Sequence, residues 1–186
     1  MELERVDLGI CGGYDYYSGR ERTAIVLPGA MLGGMPVNAF VIAPLVNDGW
    51  RVVQVWDEYD ASHDREEWAR TRAQAAYDYA GGAQLVSGKS AGSLAAGFAA
   101  EHGLAGIWTT PLLHERAFVD DLRRRTAPAL LIGGTEDPMW DGTVARELGD
   151  EVLELPGADH GLARIADVTA VEQAVAAFSA RLWARA

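Results

Sequence analysis

Short apolar runs alternate with longer stretches of helical spacing along most of the chain. Six runs read as strands: Thr23–Leu27, Arg51–Trp56, Ala83–Ser87, Gly106–Thr109, Ala129–Ile132 and Glu151–Leu155. Several are rich in Val, Ile and Leu with little period-two alternation, as strands buried on both faces should be. Between them, Ala69, Ala73, Ala76 and Ala80 step by four, three and four, a small-residue stripe that lets a helix pack closely on a sheet. Val168, Val171, Val175, Phe178 and Leu182 form a similar stripe near the C-terminus. Gly49, Gly81, Gly103 and Gly149 each follow a helical stretch and precede a strand, where glycine can stop a helix in the left-handed conformation. Pro44 is the misfit: it falls in the helical stretch after Met35, which is therefore expected to be kinked or to begin late.

This alternation predicts one α/β domain spanning 1–186, a mainly parallel sheet of about six strands with helices on both faces and right-handed crossovers. The first twenty residues differ. Glu4–Cys11 and Tyr14–Tyr17 are expected to form an antiparallel pair at one edge, joined through Gly12-Gly13. No linker or repeat marks a second domain.

Composition narrows the function classes. Of 186 residues, 49% are hydrophobic, enough for one sizeable core. Lys and Arg total 16 against 27 Asp and Glu, a formal net charge of −11, which argues against a general nucleic-acid binder and against docking on anionic membranes. The single cysteine, Cys11, allows neither an intramolecular disulfide nor a cysteine-rich zinc site and reads as a small hydrophobe. The N-terminus lacks a basic-then-apolar leader, and no run reaches the roughly 18–20 apolar residues that span a bilayer. A cytoplasmic protein is the expectation.

Gly88-Lys89-Ser90-Ala91-Gly92 is a G-x-S-x-G pentapeptide. Alone it is a modest signal; its setting after the strand Ala83–Ser87 and before the helical run Ala91–Ala100 sharpens it. Such a turn is tight, so bulk at either glycine would clash, and it lifts the serine hydroxyl above the sheet. A serine hydroxyl needs a base to become a nucleophile. Of four histidines, His160 lies in the loop after the last strand. His102 ends the helix that starts at the turn, about 15 Å away by helical rise. His63 and His114 read as loop residues, His114 being the stronger competitor because it follows the strand beside the turn. Asp137, in Gly133-Gly134-Thr135-Glu136-Asp137-Pro138, is the best orienting acid, with Glu136 the alternative. For each residue taken singly a bland reading exists: a glycine-rich turn, a residue before proline, a polar loop position. Their joint order is hard to obtain by chance. Lys89 reads as the partner of an acid from Asp57–Asp60 that stiffens the turn, and Arg123-Arg124-Arg125 as a solvated helix face.

At these motifs the chain resembles the α/β-hydrolase superfamily, in the order Ser90, Asp137, His160 and over nearly the whole length from about Thr23. It is most similar in kind to the small lidless branch, the dienelactone-hydrolase-like proteins and short carboxylesterases. Dienelactone hydrolase proper uses a cysteine, so its substrate does not carry over. The resemblance implies an oxyanion hole from the N–H of Ala91 and one from Pro28-Gly29-Ala30-Met31, Ala30 matching best and Met31 the alternative. Met31, Trp108, Met139 and Trp140 are candidates to line the substrate pocket, with core packing nearly as good a reading for any one of them. The short Pro111–Thr126 connection, where the family usually inserts a lid, implies an open site.

The resulting expectation is a serine hydrolase of esterase type acting on a small-molecule ester, with no metal or cofactor. The competing class is an inactive protein of the same fold that binds or scaffolds. A nucleotide-binding reading finds no support: Gly29–Gly34 lacks G-x-G-x-x-G, and the first glycine of a P-loop ending at Gly88-Lys89-Ser90 would fall at Ala83.

Overall fold

A computed structural model describes residues 2–17, 21–30 and 35–184. In it, eight strands form one sheet: β1 (Glu2–Asp7), β2 (Gly12–Tyr17), β3 (Thr23–Leu27), β4 (Arg51–Trp56), β5 (Leu85–Lys89), β6 (Ala105–Thr109), β7 (Ala129–Gly134) and β8 (Glu151–Leu155). Their order is β1-β2-β4-β3-β5-β6-β7-β8. The six from β3 to β8 run parallel, and β1 and β2 add an antiparallel edge beside β4. The helices are α1 (Met35–Asn47), α2 (Arg65–Ala80), α3 (Ala96–His102), α4 (Arg116–Arg124), α5 (Gly142–Leu148) and α6 (Ile165–Ala184), with a 3₁₀ turn over Ser90–Ala95.

Alternation along each strand divides the apolar side chains between two cores. Ile25, Leu27, Val53, Val55 and Val86 face one side, packed against Trp68, Ala69 and Ala73 of α2, Phe98 of α3 and Phe118 of α4. Ala24, Val26, Val52, Leu85 and Ile107 face the other, packed against Val41 and Leu45 of α1 and Val171, Val175 and Phe178 of α6. Each fully buried Val, Ile, Leu or Phe contributes about 1.5–3 kcal/mol of transfer free energy. The alanine stripe of α2 is buried at Ala69, Ala73 and Ala76, so the helix lies close on the sheet. Its first turn is capped by Asp64, which accepts from the Glu67 N–H at 2.9 Å.

Several local expectations are corrected. The N-terminal turn lies at Leu8–Cys11, closed by Leu8 N–H donating to the Cys11 carbonyl at 2.9 Å. Gly12 and Gly13 belong to β2 instead. Gly13 serves close packing there, since a Cβ would stand 2.8 Å from the Gln54 carbonyl on β4. The central strand runs two residues later than its apolar run, because Gly88 and Lys89 pair with Trp108 and Thr109 of β6. Gly49, Gly81 and Gly103 stop helices with positive φ, but Gly149 has φ −81°. It is kept small by crowding: a Cβ would stand 2.9 Å from Leu131 and Val152 side chains. Finally, α1 does not begin late: it starts at Met35 and continues through Pro44, whose carbonyl accepts from the Asp48 N–H at 3.0 Å.

Because β3 to β8 are parallel, their carboxyl ends lie along one edge of the sheet. The loops after β3, β5, β6, β7 and β8 therefore converge there, the usual place for a ligand crevice in such sheets.

Candidate active site

Ser90 follows β5 directly and takes φ 49°, a left-handed conformation that costs a non-glycine residue about 1–3 kcal/mol. The surrounding glycines make that turn geometrically feasible. A Cβ on Gly88 would stand 2.2 Å from the Gly92 carbonyl oxygen, and one on Gly92 would stand 2.4 Å from that of Pro28. The turn is braced from inside. Ser93 donates its hydroxyl to the Ser90 carbonyl at 2.6 Å and accepts from the Leu112 N–H at 3.4 Å. This serine three residues on is a side chain bonding back to the main chain of its own turn; the sequence reading passed over it.

His160 arrives from the loop between β8 and α6. Its Nε2 lies 2.9 Å from Ser90 Oγ, and its Nδ1 lies 2.8 Å from Asp137 Oδ2. The carboxylate can only accept, so Nδ1 carries the proton and Nε2 is left as the acceptor facing the serine hydroxyl. The Asp137 side chain is fully buried, while that of His160 is 36% exposed, so the chain of three groups runs from the interior to solvent. The other oxygen of Asp137, Oδ1, accepts from the Met139 N–H at 2.9 Å. Both carboxylate oxygens are thus held.

The acid loop and the base loop are joined through backbone. Thr135 N–H donates to the Leu155 carbonyl at 3.1 Å and Glu136 N–H to that of Ala158 at 3.0 Å. Gly157 N–H donates to Thr135 Oγ1 at 2.8 Å. Glu136, the alternative acid, has its side chain exposed to solvent. The other histidines are elsewhere. His102 stacks on Tyr77 and Phe98, with ring centroids 4.8 and 4.3 Å away. His63 and His114 are exposed, with Asp60 and Glu115 as their respective neighbours.

The loop after β3 passes over the nucleophile turn. A Cβ on Gly29 would stand 3.5 Å from the Ser90 Cβ. Next to it, the Ala30 carbonyl accepts from the Tyr59 N–H at 3.2 Å, and Ala91 is buried beside Ser90. Met31 lies outside the described residues. Met139 and Trp140 are half-buried beside Asp137, and the Trp140 indole lies over Gly133 with Nε1 donating to Glu154 at 2.8 Å. Trp108 is different from its expected place: it is 1% exposed and packed edge-on against Phe118. It therefore has no surface to offer a ligand, and its strand position already turns it inward.

Lys89 also departs from expectation. Asp57 pairs with Arg72, and Asp60 bonds Ser62. The Lys89 ammonium instead donates to Thr110 Oγ1 at 3.3 Å and to the His160 carbonyl at 3.2 Å. Burial pushes its pKa down, opposed by the fields of Asp137 and Asp159. Thr110 had no signal in the sequence. The arginine run is paired as well: Arg123 meets Glu147, Arg124 meets Asp121 and Arg125 meets Asp150. Arg123 and Arg124 are exposed on the last turn of α4, as expected of a solvated face, while Arg125 is half-buried. Among the described residues, no group of three or more His, Cys, Asp and Glu side chains could hold a metal ion. No described helix is long and apolar enough to cross a membrane.

No family model matches the sequence, and no curated protein matches it. Solved structures do. The chain superposes on Est1E from Butyrivibrio proteoclasticus with TM-score 0.78 at 16% identity, covering 99% of this chain and 100% of that one. It is similar to an α/β serine hydrolase without a lid from Xanthomonas campestris, with TM-score 0.73, 14% identity, and 98% and 94% of the two chains covered. A dienelactone hydrolase from Anabaena variabilis gives TM-score 0.71 at 21% identity, with 94% of each chain covered. The chain therefore has the α/β-hydrolase fold. Among the described residues there is no cap domain: the β6–β7 connection holds only the nine-residue α4, with Phe118 and Leu122 buried in the core.

Proposed function

We propose that the protein is a serine hydrolase of esterase type that cleaves small carboxylic esters through an acyl-enzyme. The observation that carries this reading is the unbroken chain from Asp137 through His160 to Ser90, with steps of 2.8 and 2.9 Å, on a serine held at φ 49°. Ser90 Oγ attacks the ester carbonyl carbon while His160 Nε2 takes its proton. Asp137 stabilises the resulting imidazolium through Nδ1. The tetrahedral intermediate collapses as Nε2 returns the proton to the leaving alcohol, and the acyl group stays on Ser90. Water then attacks the acyl carbon, giving its proton to Nε2, and the proton passes back to Ser90 Oγ as the acid departs. The N–H groups of Ala91 and Ala30 are assigned to the developing oxyanion, with Met31 as the alternative to Ala30. Met139 and Trp140 are assigned to the pocket rim.

Neighbours that include a serine hydrolase without a lid support this class. Fold alone does not select it, because one fold hosts many functions. The deciding experiment is labelling with a fluorophosphonate probe followed by peptide mapping, with Ser90→Ala as the control. Labelling at Ser90 that disappears in the variant is the expected result. An unlabelled, folded wild-type protein would instead favour the binding or scaffold class.

A further inference from the structure

Lys89 is buried, 8% exposed, at the end of the central strand, and the mechanism above gives it no part. Strand alternation sets it on the same side as Leu85, toward α1 and α6, the side on which the histidine loop crosses. Its ammonium forms no ion pair with a carboxylate among the described residues, although burying a charge is costly when no partner neutralises it. A methionine of similar length would fill the same space without that cost. What lysine adds is a charged donor reaching two acceptors on two different loops. One is Thr110 Oγ1, itself fully buried on a residue at φ 44° whose N–H donates to the Ile132 carbonyl at 2.7 Å. The other is the main-chain carbonyl of His160.

We propose that Lys89 is a positioning residue for the base: anchored on Thr110, its ammonium holds the His160 main chain in register with Ser90. This rests on the serine-hydrolase reading and deepens it. The carboxylates whose fields reach the ammonium are Asp137 from the β7–α5 loop and Asp159 from the histidine loop, so the lysine sits where the nucleophile strand, the acid loop and the base loop meet.

The test is kcat and KM on p-nitrophenyl acetate for wild type, Lys89→Met and Thr110→Val, with folding checked by thermal unfolding. Lys89→Met should lower kcat about tenfold or more, from loss of alignment, with KM within about twofold. Thr110→Val keeps the ammonium but loses its anchor, so it should also lower kcat, by less, again with KM little changed. An unchanged kcat in Lys89→Met, or a loss carried by KM rather than kcat, overturns the inference. If Lys89→Met does not fold, Thr110→Val decides, and unchanged kcat in that variant overturns it. Wild-type protein with no Ser90-dependent turnover defeats the hydrolase reading itself and this inference with it, an outcome distinct from the others.

Discussion

Gly134 and Ala158 touch so closely that a Cβ on Gly134 would stand 2.1 Å from the Ala158 carbonyl oxygen. That contact seats the loop bearing Asp137 on the loop bearing His160, and Glu136 N–H bonds the same carbonyl at 3.0 Å. Gly134→Ala should force the two loops apart. Overpacking of this kind costs about 1–3 kcal/mol. The expected result is a melting temperature lower by several degrees, on the order of 2–4 °C per kcal/mol at this size, with turnover reduced more than stability. Gly12→Ala is the control, because a Cβ there would meet only the Trp56 carbonyl, at 3.6 Å.

Replacing Asp137 by Asn separates orientation from packing. The amide is nearly the same size, so the fold should persist. Asn can offer an N–H where Oδ2 accepts from Nδ1, which favours the wrong imidazole tautomer, and it leaves the imidazolium without a counter-charge. Turnover of p-nitrophenyl acetate should fall by about 10³–10⁴-fold. Glu136→Gln should stay within about twofold of wild type, because that side chain faces solvent. The reverse ranking would move the acid to Glu136.

Chain-length preference tests the open site. The β6–β7 connection is spent on a nine-residue helix packed into the core. With little to cover a long acyl chain, added methylenes gain only a fraction of the ~0.8 kcal/mol that full burial supplies. Specificity measured as kcat/KM should therefore be flat or falling from acetyl and butyryl to octanoyl and palmitoyl esters. A steady rise toward palmitoyl would contradict the open site.

Cys11 should be a sluggish thiol. Burial, reinforced by the charge of Asp57, pushes its pKa up to about 11. The thiolate is the reactive form, so raising the pKa reduces reactivity at neutral and mildly alkaline pH. At pH 8, alkylation by iodoacetamide should run roughly ten- to a hundredfold slower in the native protein than in the denatured one, where the thiol returns toward ~8.5. Equal rates would show that the β1–β2 turn opens readily.

The parallel sheet could be read from the chain because buried strands announce themselves by composition. Arg51–Trp56, Thr23–Leu27 and Glu151–Leu155 fall where their apolar runs predicted. Where polar residues continue a strand, as at Ser87–Lys89, the run of hydrophobicity stops before the backbone pairing does. Gly13 and Gly149 misled for a shared reason: glycine marks crowding as well as turns, and only the neighbouring strand tells which. Ser90, Asp137 and His160 were nameable from local motifs and chain order, and the fold brings them together. The partners of Lys89 were not nameable, because Thr110 and the His160 carbonyl reach it from two other loops. Trp108 was misjudged because its inward face depends on pairing with β5 and β7.

The strand β8 is the outermost of the parallel set, paired on one side only, and four of its five residues are only half-buried. Ser90 instead stands at the end of β5, flanked by β3 and β6. The reaction machinery is thus split between the interior of the sheet and one of its two edges. An opening confined to that edge would carry off the proton acceptor and leave the serine in an otherwise intact sheet. Loss of turnover under mild denaturant can therefore precede any change in the bulk of the molecule, so an activity half-point and an unfolding midpoint report on different parts of it.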